Sequence, residues 1–121
     1  MKTIICDIDG TIFKYPPGGT NQLVNEEPVL LPGVKEKFGQ WEKVGHQIII
    51  ITGRRESLRK LTEIQLTNAG IAFDTLLMGY ADEGRILIND MNSNYKVKAH
   101  VANLLRDKGF DSWNWDDIGL E

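Results

Sequence analysis

Asp7-Ile8-Asp9-Gly10-Thr11 places two carboxylates two residues apart at the end of a short apolar run, Thr3 to Ile8. While the backbone stays extended, a spacing of two points both acids to the same side. Two neighbouring anions repel, so such a pair persists when one holds a proton or when a hard cation lies between them. A site of carboxylates without sulfur favours Mg²⁺. The same residues also suit a plainer role, a polar strand end closed by an Asx-type turn at Gly10. Two further polar clusters follow apolar runs: Thr52-Gly53-Arg54 after QIIII, and Asn89-Asp90 after RILI. The three clusters bring together carboxylates for a metal, a hydroxyl and a backbone amide for an anion, and arginine for charge balance.

The chain around them has 121 residues, a formal charge of −3, 41% hydrophobic and 26% charged residues, one cysteine and two histidines. These fractions are those of a folding chain, and the length suits a single domain, 1–121, with no room for a second. The acidic balance argues against a broad nucleic-acid footprint, which neutralises phosphates with clustered Lys and Arg. One Cys and two distant His cannot build a thiolate or imidazole zinc cage, so a metal here takes oxygen ligands. With no long apolar run, and with Asp7 too early for a signal peptide, a cytoplasmic, non-membrane protein is expected. Cys6 reads as a small buried hydrophobe. Ile12 stands where a Cys-x5-Arg phosphatase needs its arginine.

The elements that must position these residues alternate. A first strand covers Thr3 to Ile8, and residues 12–31 carry too many Pro and Gly for a regular helix, which marks a flap or loop over a site. A helix opens at Pro32-Gly33, carries Val34, Phe38, Trp41 and Val44 on one face, and is capped by Gly45. Gln47 to Thr52 is a β-branched central strand, and Glu56 to Ala69 a second helix closed by Gly70. A third strand is expected within Ile71 to Met78, a fourth at Arg85 to Asn89, and a third helix at Lys96 to Lys108. The Trp113/Trp115 tail reads as an edge strand or a subunit contact. The fold class is therefore α/β, a three-layer sandwich around a mostly parallel sheet, with ligands expected outside the carboxyl ends of the strands.

Asp7-Ile8-Asp9-Gly10-Thr11, Ile51-Thr52-Gly53-Arg54 and Leu87-Ile88-Asn89-Asp90, in that order and about forty residues apart, resemble the motifs of the haloacid dehalogenase-like superfamily of phosphatases. The resemblance runs from Met1 to about Gly109 and implies a Rossmann-like core, here without a cap domain. It implies a Mg²⁺-dependent phosphomonoesterase in which Asp7 is the nucleophile that forms an aspartyl-phosphate and Asp9 the general acid and base. Thr11, Thr52 and Gly53 would bind the phosphoryl oxygens. Asp7, Asp9 through its carbonyl, and Asp90 would hold Mg²⁺, with Asn89 a neutral oxygen donor. A small phosphorylated sugar or similar metabolite is the substrate expected by analogy. Capless relatives can borrow a neighbouring subunit as a lid, so a homo-oligomer fits.

This chain departs from the family pattern at two places. Asn89 stands where an acid is common, and no Lys lies between positions 71 and 88 to balance the phosphate. Three carboxylates and a phosphate dianion carry about −5 against +2 from Mg²⁺, so a cation must help. Arg85 is the expected replacement, with Lys96 or Lys98 as substitutes. Arg54, with Arg55, is expected to grip a distal anionic part of the substrate. Two other readings use the same residues: a degenerate phospholigand-binding module without turnover, and a receiver-like phosphoacceptor domain.

Overall fold

Gln47-Ile48-Ile49-Ile50-Ile51 is β-branched almost throughout, and it forms the middle strand of a parallel three-stranded sheet. The structure, a computed structural model, describes residues 1–81 and 83–120, with Asp82 and Glu121 outside them. Strand β1 (Thr3–Cys6) pairs with β2 (Gln47–Ile51) in the register Thr3 to Gln47 through Cys6 to Ile50, and β2 pairs with β3 (Thr75–Leu77) from Ile49–Thr75 to Ile51–Leu77. The α/β class expected from the alternating pattern is what the chain adopts. The order β1-β2-β3 leaves β1 at one edge, and Ile5 on it is half exposed.

Helix α1 (Gly19–Asn25) lies within the flap, α2 (Val34–Val44) follows Pro32-Gly33, and α3 (Arg59–Asn68) continues a 3₁₀ turn at Glu56–Leu58. The α2 stripe works as the spacing requires: Val34, Phe38 and Trp41 are buried. Gly45, at φ 94°, ends the helix in the left-handed region, its N–H donating to the carbonyls of Trp41 and Glu42. These side chains share one core cluster with Ile8, Ile48, Ile50, Leu66, Leu76 and Phe110. Phe38, Trp41, Phe110 and Trp115 form its aromatic part, with Phe38–Trp41 centroids 5.0 Å apart and Phe110–Trp115 centroids 4.9 Å apart.

Four expectations differ from the structure. Residues 12–31 contain a short helix, because Pro16, Pro17, Gly18 and Pro28 flank Thr20–Val24 without interrupting it. Trp115–Ile118 forms a 3₁₀ turn against the core, not an edge strand, because Trp115 gains more by packing edge-on to Trp41 at 5.5 Å. Arg85–Asn89 forms no strand. Only residues 78–84 link it to β3, and a parallel crossover takes about a dozen residues or more. Lys96–Lys108 forms no helix: Val97, Val101 and Leu105 are exposed, and without a surface to cover its stripe a helix of about a dozen residues is marginal in water.

Residues 84–105 instead form an arm that leaves the core and returns to it. Its tip is a turn at Asn92–Tyr95, where the Asn92 side-chain oxygen accepts from the N–H groups of Asn94 and Lys96 and Tyr95 takes φ 58°. The chain is caught again at Asp107, whose N–H donates to the Gly10 carbonyl at 2.9 Å and whose carboxylate accepts from the Tyr15 N–H at 2.7 Å. Gly109 follows at φ 77°, where a Cβ would run into the Pro32 carbonyl oxygen, so no other residue fits this approach. Phe38→Ala should cost about 3–5 kcal/mol in urea denaturation, the usual loss for a fully buried aromatic. A loss below about 1 kcal/mol would show that the aromatic cluster does not organise the core.

Candidate functional site

The carboxyl ends of β1 and β2 converge on one place. β1 ends at Cys6, and the chain turns at once: the Ile8 carbonyl accepts from the N–H groups of Thr11, Ile12 and Phe13, while Gly10 takes φ 90°. This tight loop holds Asp7 and Asp9 half-buried at the sheet end while burying Ile8, Ile12 and Phe13 beneath them. β2 ends at Ile51, and buried Thr52 accepts through Oγ1 from the Arg54 N–H at 3.1 Å. Gly53 between them is exposed.

Each carboxylate has its own arginine. Arg54 donates from Nε to Asp9 Oδ2 at 3.0 Å and from Nη2 to Asp9 Oδ1 at 2.8 Å, a bidentate fork. Its Nη1 donates to Thr62 Oγ1 at 3.1 Å and Gln65 Oε1 at 2.7 Å, both on α3. With its side chain only 2% exposed, Arg54 is a buried ion held on every side, not a free cation at a helix start. Arg85 donates from Nη1 to Asp7 Oδ1 at 3.2 Å, and the Thr11 hydroxyl donates to Asp7 Oδ2, also at 3.2 Å. Burial pushes the Asp7 carboxyl above the ordinary value, and the Arg85 and Thr11 contacts pull the other way.

Two contact groups thus sit on one loop, Asp7 with Thr11 and Arg85, and Asp9 with Arg54, with Thr52 and Gly53 beside Arg54. Asn89 and Asp90 lie on the arm. The Asp90 side chain is 72% exposed and pairs with Lys98 Nζ at 2.5 Å. Lys98 is therefore engaged with Asp90 while Arg85 reaches Asp7. Cys6 is buried and its thiol is pushed far up by desolvation, so it is inert as a nucleophile. Thr62 and Gln65 were not legible as site residues: a polar residue on a helix is ordinary until its partner is known. One faint signal existed, since both interrupt the apolar stripe of α3 and both are buried.

Mg²⁺ needs several oxygen ligands around one point. Among the described residues no three Asp, Glu, His or Cys side chains gather so as to hold a metal, and both Asp9 oxygens face a guanidinium. The described residues do not fit the ion.

Beside Asp9 and Arg54 opens a cavity of about 260 Å³, lined on the flap side by Phe13, Lys14, Tyr15, Leu23 and Glu26. The Gln65 amide donates to the Leu23 carbonyl of α1 at 3.2 Å, tying the flap to the Arg54 cluster.

No family model matches the chain, and no curated protein matches it. Among solved structures, the chain is similar to a protein in a Pnkp1/Rnl/Hen1 complex, at 28% identity over 70% of this chain and 30% of that one, with a TM-score of 0.58. A second structure, of the Pnkp1/Rnl/Hen1 RNA repair complex, gives 29% identity over 69% and 27%, with a TM-score of 0.55. The chain therefore spans under a third of those proteins. A target protein from Vibrio cholerae matches at nearly full length, 98% of this chain and 94% of that one, with 20% identity and a TM-score of 0.56. These neighbours share the Rossmann-like core, and in this chain Asp7 directly follows β1 and Thr52 directly follows β2.

The chain has the Rossmann-like α/β core of the haloacid dehalogenase-like fold. No helix among the described residues is long and apolar enough to cross a membrane.

Two variants probe the paired carboxylates. Arg54→Met should cost about 3–5 kcal/mol in urea denaturation, because it strands the Asp9 carboxylate, and adding Asp9→Leu should recover part of that loss. Equal losses in the single and double variants would show that Asp9 is indifferent to Arg54. The raised Asp7 pKa means that the folded state holds this proton more tightly. Its contribution to stability is full below the unfolded value of 3.8 and is lost as pH rises through the folded value. In EDTA at neutral pH, Asp7→Asn should therefore melt above the wild type by calorimetry, with the gap closing toward pH 3.8.

Proposed function

We infer that the protein hydrolyses phosphomonoesters through Asp7. The observation that carries this reading is the Arg85 contact to Asp7, which puts a cation beside the nucleophile where the chain lacks a lysine. An Asp7 oxygen attacks phosphorus in line, the bond from phosphorus to the ester oxygen breaks, and Asp9 gives its proton to the departing alcohol. Water then attacks the aspartyl-phosphate and loses its proton to Asp9. The bond between phosphorus and the Asp7 oxygen breaks, releasing inorganic phosphate and restoring Asp7.

Arg54 orients Asp9 for both steps. Its fork uses two of about four lone-pair sites on the carboxylate, leaving others for proton exchange. Arg85 also neutralises charge on the transferring group, and Thr52 with the Gly53 N–H supports binding of its oxygens. The described residues do not gather the ligands Mg²⁺ needs, so no step here runs through the ion, and the assay with and without Mg²⁺ tests the dependence.

A cavity of about 260 Å³ that mixes Lys14 and Arg54 with Glu26 and Glu27 suits a small polar phosphoester, such as a phosphorylated sugar, better than a long polyanion. The likeness to proteins of an RNA repair complex makes polynucleotide end phosphates the competing substrates to test.

Hydrolysis of p-nitrophenyl phosphate and of a panel of phosphosugars and end-phosphorylated oligonucleotides, with and without Mg²⁺, tests the reading. Asp7→Asn should abolish turnover, and Asp9→Asn should lower kcat by about 10²–10⁴. Retained activity in Asp7→Asn would overturn the assignment.

A further inference from the structure

Gln65 touches both the flap and the group that carries Asp9. It is buried on α3, and the two ends of its amide meet different elements: Oε1 accepts from Arg54 Nη1 at 2.7 Å, and Nε2 donates to the Leu23 carbonyl of α1 at 3.2 Å. A guanidinium only donates and a carbonyl only accepts, so the reversed amide would set donor against donor and acceptor against acceptor. The two contacts therefore fix one orientation, and a planar amide held at one end is held at the other. Leucine at this position would serve neither partner. Glutamate would keep an acceptor for Arg54 but set an oxygen against the Leu23 carbonyl.

The flap needs such a tie. Its base is pinned, with the Lys14 N–H donating to the Val29 carbonyl at 2.8 Å and the Leu31 N–H to the Ile12 carbonyl at 2.9 Å. Above that base, α1 has seven residues and buries none of them, and a helix so short does not hold itself in place. Among the described residues, the Gln65 contact is the only hydrogen bond that joins residues 16–28 to the rest of the chain. A single neutral hydrogen bond favours the closed flap by a factor of roughly ten or less. The flap is thus a lid with a hinge and a weak latch. Gln22, Leu23 and Glu26 of α1 line the cavity together with Asp9, Arg54 and Gln65, so whatever fills that space decides how firmly the lid closes.

We propose that Gln65 is a positioning residue that latches the flap to the Arg54–Asp9 fork, so that a leaving alcohol seated in the cavity sets Asp9 to protonate it. The body of the alcohol holds α1 down, the Leu23 carbonyl holds the amide, and Oε1 fixes Arg54 Nη1. The fork then keeps the Asp9 carboxyl from swinging while its proton passes to the ester oxygen and the bond from that oxygen to phosphorus breaks. The phosphoesters favoured are those whose alcohol is large enough to press on the flap and too poor a leaving group to depart without a proton. A sugar ring fits that description better than a small alkyl group. The role in turnover rests on the phosphatase reading above, whereas the latch rests on the two hydrogen bonds of Gln65.

Phenyl phosphate and p-nitrophenyl phosphate test the role in turnover, because both carry one ring while phenolate needs the proton far more than p-nitrophenolate does. The ratio of their kcat/KM values reports the help that Asp9 gives. Gln65→Leu should shift that ratio against phenyl phosphate about tenfold, within the larger shift caused by Asp9→Asn, and should shift it no further when added to Asp9→Asn. Equal losses on both esters, or the same shift with and without Asp9, overturn the role. Hydrogen exchange of the α1 amides, read by mass spectrometry, should be up to about tenfold faster in Gln65→Leu and Gln65→Glu than in the wild type. Exchange no faster than in the wild type overturns the latch. Gln65→Glu leaves Arg54 an acceptor and so carries the test if Gln65→Leu does not fold; faster exchange in it with an unchanged ratio would separate flap from acid and overturn the coupling. A wild type that hydrolyses neither ester removes the phosphatase reading, and the exchange of α1 still decides the latch.

Discussion

The guanidinium of Arg54 is where the molecule is joined. It is a buried charge at the end of β2, and a buried charge is tolerable only when paired and fully hydrogen-bonded. Asp9 supplies the countercharge from the loop after β1, and Thr62 and Gln65 supply the remaining acceptors from α3. Gln65 then passes the connection to the Leu23 carbonyl in the flap. Strand ends, helix and flap are thereby held in one hydrogen-bonded group. The position of Asp9 follows from where α3 packs as much as from its place in the chain.

Asp7 lives under the opposite constraint. Burial opposes its charge, and the contacts that favour ionisation come from Thr11 in its own loop and from Arg85 at the root of the arm. An anion with so few fixed partners is costly for folding and available for chemistry, which suits the nucleophile role proposed for Asp7. The two acids share a motif and a strand end, yet one is locked and the other waits. Neighbouring carboxylates take different roles when their environments differ in this way.

The open edge of β1 and the bare arm are two halves of one problem. A sheet edge with exposed Ile5 and a segment with exposed Ile86 and Ile88 each leave apolar surface in water. Ordinary folds of this kind solve it with a crossover helix, and the short link after β3 removes that solution here. The near full-length likeness to the Vibrio cholerae protein shows a shared fold over the same extent of chain.

Local chemistry was enough to read much of this from the residues. β-branched runs make β1 and β2, the Val34/Phe38/Trp41 stripe between Gly33 and Gly45 makes α2, and Asp7, Asp9 and Thr52 stand at strand ends because acids, hydroxyls and Gly-containing turns terminate apolar runs. These are short-range properties, decided within a few residues. Tertiary structure decided the rest. RILIN carries the pattern of a strand and Lys96–Lys108 the pattern of a helix, but such a pattern states only which surface wants burial, not whether the chain can carry it to a partner. Arg54 looked like a substrate grip because its neighbours in sequence say nothing of Thr62 and Gln65, which reach it only when α3 folds back across the sheet. The link at 78–84 is a matter of reach, and reach becomes a constraint only once the ends it must join are placed in space.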